Sequence, residues 1–161
     1  MALFHRPRLP AERRPPLAPE ERILAWSDSD GGLLVATNLG LWAPGFLGWH
    51  EIHKAAWDGT DLVVTAARQV AERAGYTVVE DVPPVTFRLR EPGQLPHQVR
   101  ARVTRSVGYS VHHPRPGVRV AARRVPGVDG LRWTVRYDAG VDPDDPAVVA
   151  ATEQIVAAAQ E

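Results

Sequence analysis

Between residues 21 and 90 the chain alternates short apolar stretches with dense turn signals, the texture of antiparallel strands. Residues 23–27 and 33–37 flank Ser27-Asp28-Ser29-Asp30-Gly31-Gly32, whose Asp-Gly step suits a hairpin. Further strands are expected at 41–43, 49–57, 62–66, 77–82 and 85–90, the last with Phe87 and Leu89 alternating against Arg88 and Arg90. Residues 67–75 are rich in Ala, Gln, Glu and Arg and end in Gly75, so one or two helical turns are expected there. Leu95, Val99, Val103 and Val107 then recur at every fourth position, with Pro96 in the first turn and Gly108 at the end. This spacing predicts a helix with one narrow apolar stripe.

Residues 108–161 show a second pattern. Strands at 118–124 and 131–138 surround Val125-Pro126-Gly127-Val128-Asp129-Gly130. Leu131, Trp133, Val135 and Tyr137 fall on one face of the second strand, and Val118, Val120 and Ala122 match them on the first. The opposite face then carries Arg119, Arg123, Arg132 and Arg136, with Arg119 near Arg136 and Arg123 near Arg132. After Ala139-Gly140, Asp145 is an N-cap and Pro146 a first-turn residue for an alanine-rich helix carrying Val149, Thr152, Val156 and Ala159 at helical spacing.

Seven antiparallel strands closed by one amphipathic helix are the plan of pleckstrin-homology-like (PH-like) barrels. Leu33-Leu34-Val35-Ala36-Thr37-Asn38-Leu39-Gly40-Leu41-Trp42 is similar to the second hairpin of their bacterial members, and Trp49-His50-Glu51-Ile52-His53-Lys54-Ala55-Ala56-Trp57 to the strand that follows. Together with Asp142-Pro143-Asp144-Asp145-Pro146-Ala147-Val148, the chain resembles an uncharacterised actinobacterial family. The expected fold is therefore α+β: a PH-like barrel with its capping helix over residues 20–107, then a hairpin–helix extension over 108–161. Residues 1–19, with five prolines and four arginines, are expected to be a flexible lead-in. The resemblance implies binding of lipid headgroups, peptides or proteins at the barrel rim, and no catalytic signature comes with it.

Composition narrows the chemistry. The 161 residues hold no cysteine, which excludes thiol catalysis, disulfides and cysteine-ligated metals. No apolar run approaches the ~20 residues of a membrane span, and residues 1–19 lack the apolar region of a secretory signal, so a cytoplasmic protein is expected. Formal net charge is zero, yet it is unevenly spread. Eleven basic against two acidic side chains give residues 88–137 a charge of +9, while six acidic and no basic ones give residues 138–161 a charge of −6.

Four guanidinium groups on one strand face repel one another unless an anion lies against them. That anion is expected to be the acidic tail (Asp138, Asp142, Asp144, Asp145), a partner protein or sister subunit, or a phosphate-bearing ligand. Nucleic acid is disfavoured, because no aromatic ladder or recognised nucleic-acid motif accompanies the arginines. His50 and His53, three apart in a predicted strand, are expected on opposite faces and so not to share a metal. No phosphate loop or nucleophile elbow is present. The sequence thus reads as a non-catalytic binding or scaffold module, without cofactor or metal, acting through Arg119, Arg123, Arg132 and Arg136 on an unidentified protein partner or on itself. The alternatives are an anion binder, or a hydrolase-like enzyme drawing on His50, Glu51, His53 and Arg88.

Overall fold

The computed structural model describes residues 8–161 and is an α+β fold made mostly of strands. The strands are β1 (Ile23–Ser29), β2 (Gly32–Thr37), β3 (Gly40–Trp42), β4 (Phe46–Gly48), β5 (Ile52–Trp57), β6 (Asp61–Arg73), β7 (Tyr76–Asp81), β8 (Val85–Arg88), β9 (Val107–His113), β10 (Val118–Arg124) and β11 (Leu131–Tyr137). The two α-helices are α1 (Leu95–Ser106) and α2 (Pro146–Ala159). One sheet runs β1-β2-β3-β4, and the other runs β5-β6-β7-β11-β10-β9 with β8 added beside β6. The second sheet is mixed, since β11 lies parallel to β7 through Thr134 opposite Thr77 and Val135 opposite Val78.

The strand β6 organises the molecule. Its first half, 61–66, pairs with β5 on one side and β8 on the other, while its second half, 67–73, pairs with β7. The helical turns expected at 67–75 are therefore absent, and strand takes their place. Ala, Gln and Glu favour helix in isolation, but here the backbone donors and acceptors of this segment are met by β7, and pairing overrides a preference of a few tenths of a kcal/mol per residue. Gly75, at φ +87°, makes the tight return into β7.

Beyond β8 the chain meets β1: Ser29 bridges Leu89, and the Arg90 amide donates to the Asp28 carbonyl at 3.0 Å. The sheets thereby curl into a half-barrel, and α1 covers its interior, packing on β1, β2 and β5. The core inside is Leu34, Leu41, Trp49, Ile52, Leu62 and Phe87 with Leu95, Val99 and Val103 of α1. Val107, the fourth member of the predicted stripe, leaves the helix and begins β9.

A second core forms where α2 lies on the other sheet. Val118, Val120 and Val135 are fully buried there with Tyr76, Val78 and Val156, and the Tyr137 hydroxyl lies 2.7 Å from Thr152 Oγ1. Asp145 caps α2 by accepting from the Ala147 amide at 2.9 Å. β9, β10 and β11 therefore share a sheet with β6 and β7, and α2 packs on it. Part of the expected flexible lead-in is also packed: Leu9 is 2% exposed, its carbonyl accepts from Arg14 Nε, and Arg13 pairs with Asp28. The remainder, residues 1–7, lies outside the described residues. No helix among the described residues is long and apolar enough to cross a membrane.

Candidate functional site

The register of β10 and β11 sets the site. Arg119 lies opposite Arg136 and Arg123 opposite Arg132, as the alternation of apolar and charged positions predicts. The Val/Trp/Tyr face is spent on α2, so all four arginines fall on the other side of the sheet. That side is concave. The bend in β6 carries β5 and the preceding 3-10 turn (Trp49–Glu51) across from β10 and β11, and two adjoining clefts lie between these walls. The larger, about 170 Å³, is lined by His50, Glu51, His53, Gln69, Arg123 and Arg132 among others. The smaller, about 90 Å³, has Ser110, Arg119 and Arg136, and the two share His53, Val79, Arg123 and Thr134.

Arg123 forms the floor. It is 5% exposed, and its guanidinium donates from Nη2 to the carbonyls of Trp49 (3.0 Å) and Ile52 (2.8 Å) and from both Nε and Nη2 to Ser106 Oγ. These bonds join β10, α1 and the 3-10 turn at one point. The acceptors are neutral, and a buried charge is costly without an ionic partner. Burial accordingly pushes its pKa down to about 10, which still leaves a cation at pH 7. Nη1 makes no hydrogen bond among the described residues.

The other three arginines differ. Arg136 Nη1 donates to Asp81 Oδ1 at 2.7 Å; Arg119 Nη1 donates to Ser110 Oγ at 3.0 Å; Arg132 Nη2 reaches Gln69 Oε1 at 3.4 Å. Among the described residues, no carboxylate pairs with Arg119, Arg123 or Arg132. Nor does the acidic tail neutralise this face. Asp138 pairs with His112, Asp144 with Arg73, and Asp145 is committed to capping α2.

His53, on the opposite wall, meets Asp81 of β7. His53 Nδ1 lies 2.5 Å from Asp81 Oδ1, so two donors, His53 and Arg136, converge on one oxygen. Burial raises the Asp81 carboxyl, but those two hydrogen bonds and the nearby charges outweigh it and hold the group below its ordinary value. Burial lowers His53; the Asp81 hydrogen bond opposes this, and the Arg136 charge adds to the fall. His50 is likewise lowered by burial, against the pull of Glu51 and with the help of Arg132 and Arg123. Both rings are therefore mainly neutral at pH 7.

His50 and His53 line the same cleft, contrary to the opposite faces expected of a continuous strand. Residues 49–51 form a 3-10 turn, so the strand period starts only at Ile52 and the two rings no longer alternate. Glu51 is tied by its Oε1 to the Gly48 amide at 2.9 Å. Arg88 is elsewhere: it pairs with Asp61 and lines neither cleft. Gln69, Asp81 and Ser110 complete the surroundings. Sequence reasoning missed them because their strands join the arginine hairpin only through β7–β11 and β9–β10 pairing. The one available signal was alternation, which places Val79 and Asp81 on a common face of β7.

Comparison with known proteins gives no matching family model and no significant match among curated proteins or solved structures.

Proposed function

We propose that this chain is a cytoplasmic, non-catalytic binding module that takes an acidic group into the arginine-lined cleft. One observation carries the reading: Arg123 is a cation 5% exposed at the cleft floor, hydrogen-bonded to neutral acceptors alone, with Arg119 and Arg132 beside it and no carboxylate for any of the three among the described residues. Such a recess has an unbalanced positive potential, and guanidinium forks match carboxylate and phosphate oxygens. Its concavity favours a small anion or an acidic side chain inserted by a partner over a flat contact face. Association with another protein or with a second copy then means insertion of such a side chain. The curl of strands under α1 supports kinship with PH-like barrels as part of the same proposal, although fold alone does not define a ligand.

Titration calorimetry with inorganic phosphate and with acetate at low salt tests this. Arg132→Gln and Arg119→Gln are each expected to weaken the anion that binds by about tenfold, or ~1.4 kcal/mol, without altering the thermal midpoint. Equal affinity in wild type and both variants would remove the cleft from consideration.

A further inference from the structure

The cleft is not uniformly cationic. Four donors stand on the β10–β11 wall, but the wall formed by β5 and the 3-10 turn presents His50, Glu51 and His53. His53 is the informative member, because it borders both clefts and its ring is oriented. Its Nδ1 lies 2.5 Å from the Asp81 carboxylate, and an ionised carboxylate can only accept, which assigns the proton to Nδ1. The other ring nitrogen, Nε2, is then an acceptor, and it has no hydrogen-bond partner among the described residues. Arg136, bonded to the same carboxylate oxygen, holds Asp81 ionised and so fixes this tautomer. The histidine's depressed pKa keeps the acceptor unprotonated at pH 7.

A bare anion would satisfy the guanidinium groups and leave this acceptor to solvent. Resting on the anion-binding reading above, we infer that the cleft recognises a small oxyanion that also carries a hydroxyl group: the acid group lies on Arg123 and its arginine neighbours, and the hydroxyl donates to His53 Nε2. The size agrees. The cleft, about 170 Å³, is more than ten times the ~10–15 Å³ that admits a single water, which leaves room on the scale of a hydroxy acid or a glycerol phosphate.

The test uses two matched pairs of probes on the full chain at low salt and pH 7.5: methyl phosphate against glycerol 3-phosphate, and propionate against lactate. In the pair whose acid suits the cleft, the hydroxylated member is expected to bind about five- to tenfold more tightly. His53→Phe should abolish that advantage, bringing the two members of the pair to the same affinity within about twofold. Which pair shows the effect identifies the acid group as phosphate or carboxylate. Equal binding within both pairs would overturn this inference and leave the anion-binding reading standing. An advantage that survives His53→Phe would overturn it too, because the hydroxyl would be read elsewhere. Failure of all four probes to bind at about 10 millimolar would overturn both readings.

Discussion

At the scale of single residues, Arg123 holds two roles that separate experimentally. Its bonds to Trp49, Ile52 and Ser106 fix the end of α1 and the 3-10 turn against β10, while its charge sets the potential of the cleft. Arg123→Met keeps much of the side-chain volume but strands two buried carbonyls, so a loss of roughly 2–3 kcal/mol is expected in urea unfolding. Arg132→Met, at an exposed position, should change stability by less than about 0.5 kcal/mol. Equal losses would mean that the buried network contributes nothing special. The histidines add a pH dependence. His50 faces Glu51, Arg132 and Arg123, and His53 faces Asp81, Arg136 and Arg123; both titrate below 6.5 in the folded state. As pH falls through 6.5 the unfolded chain takes up protons first, so stability falls from there down to the folded-state values. The Asp81 contribution, present above its ordinary pKa of 3.8, stays constant across this window. The urea midpoint should therefore drop between pH 7.5 and 5.5, and the double variant His50→Gln/His53→Gln should flatten the drop. An undiminished slope in that variant would place the titrating groups elsewhere.

At the scale of elements, what local sequence could and could not reveal follows the range of the pairing. The register of the β10–β11 hairpin was legible, because its alternation and its connecting turn are local, although β11 ends at Tyr137, one residue short of the expected strand. The same holds for α1 and α2, whose spacing, first-turn prolines and Asp145 cap lie within a few residues of each other. Strand β6 was not legible past residue 66, since its second half owes its conformation to β7 and carries helix-favouring side chains. The wall opposite the arginines was hidden for a related reason: a three-residue 3-10 turn resets the phase of the strand after Glu51 and brings His50 and His53 together. The turn that makes β6 double back can be tested by itself. A Cβ on Gly75 would approach nothing nearer than Gln160 at 3.9 Å, so Gly75→Ala suffers only from its positive φ. A loss of about 1 kcal/mol is expected, and less for Gly75→Asn, which tolerates that region better. No change in either variant would show that the β6–β7 turn relaxes to another conformation.

At the scale of the whole molecule, the bipolar charge distribution acquires a structural explanation that differs from mutual neutralisation. Of the +9 stretch, Arg119, Arg123, Arg132 and Arg136 line the clefts, while of the −6 stretch Asp138 pairs with His112, Asp144 pairs with Arg73 and Asp145 caps α2. A neutral protein thus maintains a cationic recess because, among the described residues, none of these C-terminal carboxylates pairs with its arginines. The parallel β7–β11 contact makes this geometry, joining two segments more than fifty residues apart into one wall. The most direct measurement is a titration of the 15N-labelled chain with inorganic phosphate, followed through arginine Nε–H and backbone amide resonances. Saturable shifts are expected, concentrated on Arg119, Arg123 and Arg132 with β5 and the Trp49–Glu51 turn, and weakened by added chloride. Shifts confined to the exposed arginines of α1, or absent from the Arg123 guanidinium at saturation, would contradict it.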